Sequence, residues 1–210
     1  MATEPAIVAL FTRVPAAGRV KTRLARVVGD AIALEAQRAL LDRTIRAVLD
    51  SKLDAELWID GDPLGLPLHP FAVRRQRDGD LGERMLDVFT DIHARGRAAI
   101  VIGSDCPVID AAYLHSAETA LAEGADVVIG PVQDGGYVLI GMARPQPALL
   151  IGMTWSTPSV CDETLRRAAT LSLRTVMLGE LWDVDDAADL RRWAALDAAI
   201  PDPQPWRSSE

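Results

Sequence analysis

The chain is poor in cysteine, in histidine and, its five tryptophans aside, in aromatic residues, and it is poor in positive charge. Cys106 and Cys161 are its only thiols; they lie far apart and in no CxxC, which excludes a disulfide framework and a redox pair. Both are expected to be buried small hydrophobes, and a reducing, cytoplasmic setting suits them. His69, His93 and His115 are scattered without zinc-ligand spacing. With 22 basic against 30 acidic residues and a net charge of -8, no extended basic face is available, which argues against nucleic acid as a partner. No run approaches eighteen apolar residues, and the segment before Ile7 carries Glu4 and no basic n-region. Neither a transmembrane helix nor a secretory signal is expected, and hence no membrane partner. Three motifs are missing as well. Without GxxxxGK[ST] the chain is no P-loop NTPase; without GxGxxG after its first strand it lacks the dinucleotide fingerprint; without GxSxG it has no hydrolase elbow.

What is present reads as one α/β domain over residues 1–210, with the proline-containing stretch from about 201 to 210 expected to be a poorly ordered tail. Hydrophobic content of 49% supplies a sizeable core. Strands are expected at Ala6–Phe11, Glu56–Ile59, Ala72–Arg75, Ala98–Ile102, Asp126–Ile129, Tyr137–Met142 and Thr175–Leu178. Helices are expected from Ala31 to Leu49 behind Asp30, after the Asp80–Glu83 capping box, and from Asp110 to Ala122. Two more follow, from Thr157-Pro158 to Ala169 and from Asp186 to Leu196; Leu64–Pro70 reads as loop. This alternation specifies a three-layer α/β/α sandwich around a mostly parallel sheet. The closely spaced strands near Val127 and Val138 are expected to add an antiparallel excursion.

The first strand opens into Phe11-Thr12-Arg13-Val14-Pro15-Ala16-Ala17-Gly18-Arg19-Val20-Lys21-Thr22-Arg23-Leu24, which gathers four cations in an acidic protein. The carboxyl end of a strand in an α/β fold is where ligands bind, and loop amides with clustered cations seat phosphates. Three acidic positions complement it. Asp105 follows the apolar run Ile100-Val101-Ile102, Asp134 lies in Gly130-Pro131-Val132-Gln133-Asp134-Gly135-Gly136-Tyr137, and Asp185 lies in Trp182-Asp183-Val184-Asp185-Asp186. Each has a plainer reading: a turn cap, an Asp-Gly hairpin turn, an acidic helix start. Together they match one need, a Mg²⁺ (or Mn²⁺) held by carboxylates, here Asp105 and Asp185, while Lys21 and Arg23 neutralise phosphate charge.

The set FTRVPAAGRVKTRL, QRDGDLGERM, GSDCP, GPVQDGGYVLIGM, WSTP and LWDVDDAADL resembles a bacterial family of unknown function, often labelled glycosyltransferase. That family belongs to the nucleotide-diphospho-sugar transferase (GT-A-like) superfamily, and the resemblance runs from about residue 6 to 196. More distantly the chain is similar to the phospholactate and molybdopterin guanylyltransferases. The resemblance implies a nucleotide site formed by Arg13, Gly18, Lys21 and Arg23, with Gln76 and Gly82 at the base. It implies Asp105 and Asp185 as metal ligands, Lys21, Arg23 and Asp105 as the catalytic set, and an acceptor pocket at Asp134, Gly135, Gly136, Tyr137, Trp155 and Ser156. The first loop departs from the LAxGxGxR form of sugar-nucleotide pyrophosphorylases, and Gly103-Ser104-Asp105 offers one acid where many glycosyltransferases carry Asp-x-Asp. Nucleotidyl transfer from an NTP to a small acceptor, glycosyl transfer from an NDP-sugar, and nucleotide binding without catalysis are the readings open at this point.

Overall fold

The computed structural model describes residues 4–62 and 71–196. The loop expected at Leu64–Pro70 and the expected tail lie outside the described residues. Seven strands form one sheet: β1 (Ile7–Arg13), β2 (Ala55–Asp60), β3 (Ala72–Arg75), β4 (Ala99–Ile102), β5 (Val127–Pro131), β6 (Tyr137–Met142) and β7 (Thr175–Met177), in spatial order β3-β2-β1-β4-β6-β5-β7. The pairs β1–β2, β1–β4, β2–β3 and β5–β7 are parallel, and β6 runs antiparallel to both of its neighbours. The antiparallel excursion expected near Val127 and Val138 is therefore present.

Both faces of the sheet are covered, which is why its central strands read as unbroken apolar runs. On one face Val8, Leu10, Leu57, Ile59, Ile100 and Ile102 pack against α2 (Asp30–Ser51) and α4 (Ala111–Ala122). On the other, Ile7, Ala9, Phe11, Val101 and Ile140 meet α3 (Leu81–Ala94), α5 (Pro147–Leu150) and α6 (Val160–Thr170). A third cluster joins α1 (Thr22–Val28), α2 and α7 (Ala187–Ala194) around Leu24, Leu40, Val184, Leu190 and Trp193. Full burial of a Leu, Ile or Val is worth roughly 1.5–3 kcal/mol against exposure, so these three clusters carry the fold.

The capping signals hold at three helices. Asp80 accepts from Glu83 N while Glu83 reaches back to Asp80 N, Asp110 accepts from Tyr113 N, and Asp186 caps α7 reciprocally with Asp189. Several expectations need correction. Asp30 is the first residue of α2 behind Gly29 and caps nothing with its side chain. The helix placed at Thr157-Pro158 begins at Val160, because Ser156 adopts a left-handed backbone (φ 62°) and Thr157 Oγ1 donates to Thr154 O. Leu49 at the end of α2 and Leu81 at the start of α3, which their helices' apolar stripes would carry inward, are instead exposed. The short helices α1 and α5 were not expected; neither is long enough to show a period.

Candidate functional site: an acidic cleft at the carboxyl edge of the sheet

From β1 the chain crosses to β2 on one side, whereas β4 leads to β5 on the other. The crevice between the carboxyl ends of β1 and β4 is thus a topological switch point, the place where α/β sheets bind ligands. A cleft of about 950 Å³ lies there. Its floor is tied together by buried hydroxyls: Gln37 Nε2 donates to Ser104 Oγ (3.2 Å), and Ser104 Oγ to Thr12 Oγ1 (3.2 Å).

Arg13, Lys21, Arg23, Gln76, Asp105, Asp134, Gly136, Tyr137, Trp155, Ser156 and Asp185 all line this cleft, although they come from six segments of the chain. Three of the expected residues do not line it. Gly18 turns the first loop with φ 73°. Gly82 packs in the first turn of α3, where a β-carbon would stand 2.2 Å from Leu150 O. Gly135 (φ 87°) turns the β5–β6 hairpin against Pro158, whose carbonyl oxygen would lie 2.0 Å from a β-carbon.

At the end of the cleft nearest β2 and β3, the Gln76 amide is held by the sheet, donating to Trp58 O (2.9 Å). The charged groups at that end are Arg84, which donates to Asp60 Oδ2 (2.7 Å), and Arg13, whose Nε lies 3.5 Å from the same oxygen. Arg23 is well exposed and lies 3.6 Å from Asp185 Oδ2.

The acids group differently from the sequence expectation. Ligand oxygens of Asp134, Asp183 and Asp185 lie within 4.8 Å of one another, a set that could hold a metal ion. Asp134 reaches it from the β5–β6 hairpin, where its Oδ1 also accepts from Gly136 N (2.8 Å), so the Asp-Gly turn and the acidic cluster use one residue. Asp183 and Asp185 come from the stretch before α7, with fully buried Val184 between them facing the other way. Burial, then the charges of Asp185 and Asp134, push the Asp183 carboxyl up to about 7. Burial likewise raises Asp185, with Asp105 and Asp134 adding to it and Lys21 and Arg23 opposing it. Acids crowded in this way are short of positive charge. Asp183 was not among the metal candidates expected from sequence, yet a signal placed it beside Asp185: in extended backbone, residues i and i+2 point the same way.

Asp105 belongs to a different contact. Its Oδ1 lies 2.9 Å from Lys21 Nζ, which is also 3.8 Å from Asp185 Oδ1 and donates to Val184 O (2.6 Å). The Lys21 side chain is only 4% exposed. The backbone joins the same segments, with Val184 N donating to Asp105 O (3.0 Å).

At the opposite wall, Tyr137 and Trp155 meet edge to face with ring centroids 6.4 Å apart. Burial raises the Tyr137 hydroxyl well above its ordinary range, so it stays protonated. The buried Trp155 Nε1 has no acceptor among the described residues. The walls of this cleft carry no thiol: Cys106 and Cys161 are both buried, and burial raises both, as expected for inert cysteines.

The seven-stranded mixed sheet with helices on both faces is an α/β fold that matches a solved structure of the nucleotide-diphospho-sugar transferase class. A candidate nucleotide-diphospho-sugar transferase from Desulfovibrio desulfuricans G20 superposes with a TM-score of 0.83 at 28% identity, over 94% of this chain and 90% of that one. The sequence profile of DUF2064, described as an uncharacterized protein conserved in bacteria, matches residues 43–157, and the chain belongs to that family. Two remoter structures share the fold. CMP:2-keto-3-deoxy-manno-octonic acid synthetase, complexed with CTP, gives a TM-score of 0.55 at 14% identity over 93% of this chain and 99% of that one. The manganese complex of Rv0371C from Mycobacterium tuberculosis H37Rv gives 0.54 at 17% identity, over 90% and 97%. No curated protein sequence matches the chain. Among the described residues no helix is long and apolar enough to cross a membrane.

Proposed function

We propose that the protein is a divalent-metal-dependent nucleotidyltransferase, moving a nucleoside monophosphate from an NTP to a small acceptor with release of pyrophosphate. The observation that carries this reading is the pairing, within one cleft, of the Asp134–Asp183–Asp185 triad with the arginines Arg13 and Arg23. An all-oxygen set suits a hard cation such as Mg²⁺ or Mn²⁺, and the raised Asp183 carboxyl marks a cluster that gains from one. Such an ion, when bound, supplies neutralisation of charge on the transferring phosphoryl group.

The chain's own residues do the remainder. Arg13 and Arg23 face the phosphates, and the Tyr137–Trp155 wall with Ser156 holds the acceptor. An acceptor oxygen then attacks the α-phosphorus in line; the bond to the β-phosphate oxygen breaks, and pyrophosphate leaves with its electron pair. Positioning is the main requirement, so no nucleophilic side chain is needed. The volume of the cleft is enough for a nucleotide and a small acceptor together. Its likeness to the Desulfovibrio protein favours a second reading, in which the same cleft takes an NDP-sugar and transfers the sugar.

A thermal-shift panel of the four NTPs and several NDP-sugars, each with and without Mg²⁺, separates the two. A Mg²⁺-dependent rise with an NTP supports nucleotidyl transfer; a rise with NDP-sugars alone replaces it with glycosyl transfer. Asp183→Asn is expected to abolish the Mg²⁺-dependent rise without lowering the ligand-free melting temperature, because it removes one of three mutually repelling clustered carboxylates. A variant that still responds fully to Mg²⁺ would remove Asp183 from the metal site.

A further inference from the structure

Only two of the 22 basic residues are lysines, Lys21 and Lys52. Lys52 stands exposed at the end of α2. Lys21 is the reverse: its ammonium is shut into the acidic end of the cleft against Val184 O, Asp105 Oδ1 and Asp185 Oδ1. Three oxygens, two of them from carboxylates, are the surroundings of a bound cation. A compact ammonium fills such a position, whereas the planar fork of a guanidinium would not. The backbone is bent to put it there. Lys21 is left-handed (φ 47°, ψ 45°), a conformation that a residue with a β-carbon adopts at a cost, and its side chain caps no helix.

Asp185 is common to both arrangements: it is one of the three acids of the triad, and it is a partner of Lys21. Two cations that share one carboxylate oppose each other's binding.

The geometry points to Lys21 as a resident counter-ion that a divalent cation displaces: the two compete for Asp185, and the arriving ion sends the ammonium out of the cluster into the cleft. This rests on the metal-dependent reading above. Gly18 (φ 73°), three residues upstream, gives the first loop the freedom to follow, and release relieves the left-handed backbone. Outside the cluster the ammonium faces the same space as Arg13 and Arg23, where the phosphates of a nucleotide would meet it. Coupling of this kind is reciprocal: nucleotide that holds the freed lysine also tightens the ion.

Having only two lysines makes the test direct. The native protein is acylated at its amines with and without Mn²⁺ alone, labelling of Lys21 and Lys52 is followed by mass spectrometry, and Mn²⁺ binding is measured in parallel by calorimetry. Lys21 is expected to be protected without the ion and to react about tenfold faster or more at saturation, with Lys52 unchanged as the internal control. Lys21→Met, nearly isosteric and uncharged, is expected to bind Mn²⁺ severalfold more tightly than the native chain. If Mn²⁺ binds while Lys21 stays protected, or if Lys21→Met binds it no better, the displacement is overturned and the metal-dependent reading stands. If Mn²⁺ binds only Lys21→Met, competition is upheld in its strongest form. If it binds neither, both fall. Should Lys21→Met fail to fold, the labelling of the native chain decides alone.

Discussion

Gly82 shows how a single residue can bear on a ligand site without facing it. A methyl group there would stand 2.2 Å from Leu150 O and 3.0 Å from the Trp155 ring, so α3, α5 and the cleft wall are closed on one another through a missing side chain. Gly82→Ala is expected to destabilise the protein by on the order of 1–3 kcal/mol and to perturb Trp155, read by urea unfolding and tryptophan fluorescence. An unchanged melt with weakened nucleotide binding would restore Gly82 to a ligand-facing role. At this scale the sequence told which residue types gather better than it told their partners. Arg13, Lys21, Arg23, Asp105, Asp134 and Asp185 were all legible, because each ends a strand or sits in a loop after one. That Lys21 pairs with Asp105 while Asp183 joins Asp134 was not. Those choices are made across separations such as the 163 residues between Lys21 and Val184, where no local pattern reaches.

Among the elements, β2 and β3 are tied by charge as well as by their ladder. Glu56, buried on β2, accepts from Arg74 Nε (2.9 Å) on β3 and from Arg95 Nη1 (2.6 Å) just past α3. Burial alone would raise its carboxyl, but the hydrogen bonds and charges of Arg95 and Arg74 outweigh that and lower it. A lowered folded-state value means that stability is gained above the unfolded carboxylate range, near pH 4.3, and is lost as pH falls through the folded value. Glu56→Gln is therefore expected to cost on the order of 1–3 kcal/mol at pH 7, and the gap to the native chain should close below about pH 4 in paired thermal melts. A gap that is constant with pH would mean Glu56 acts by shape alone. Elements were legible where capping acids and long apolar periods marked them, as for α3 and α4. They were not at α1, a short helix behind the left-handed Lys21; at α6, which was expected, the left-handed Ser156 moved the start to Val160.

For the whole molecule, folding brings Asp105, Asp134, Asp183 and Asp185 from three distant segments to one edge of one sheet, so the cleft gathers negative charge in the folded state only. Anything that binds that state alone raises its melting temperature by mass action. At a hundredfold excess over Kd, Mn²⁺ would add about 2.7 kcal/mol, or roughly 5–10 °C for a chain of this length, and a chelator should reverse it. No shift across a wide range of Mn²⁺ would mean that the acidic edge holds no divalent ion. The layer order and the reversed strand were legible from the alternation of apolar runs and from the short gap between Val127 and Val138.

The reversal of β6 has a consequence for how such a protein changes its chemistry. Because β6 runs against β4 and β5, the hairpin tip at 132–136 and the first residue of the strand, Tyr137, meet at the working edge within six consecutive positions. Under the proposed function, Asp134 from that tip and Tyr137 at its base would serve the metal set and the acceptor wall as one cassette, while Leu139–Met142 keep the sheet in register on both sides. Exchanging a handful of contiguous codons would recast what the cleft accepts and leave the scaffold intact: a small, heritable unit of substrate choice.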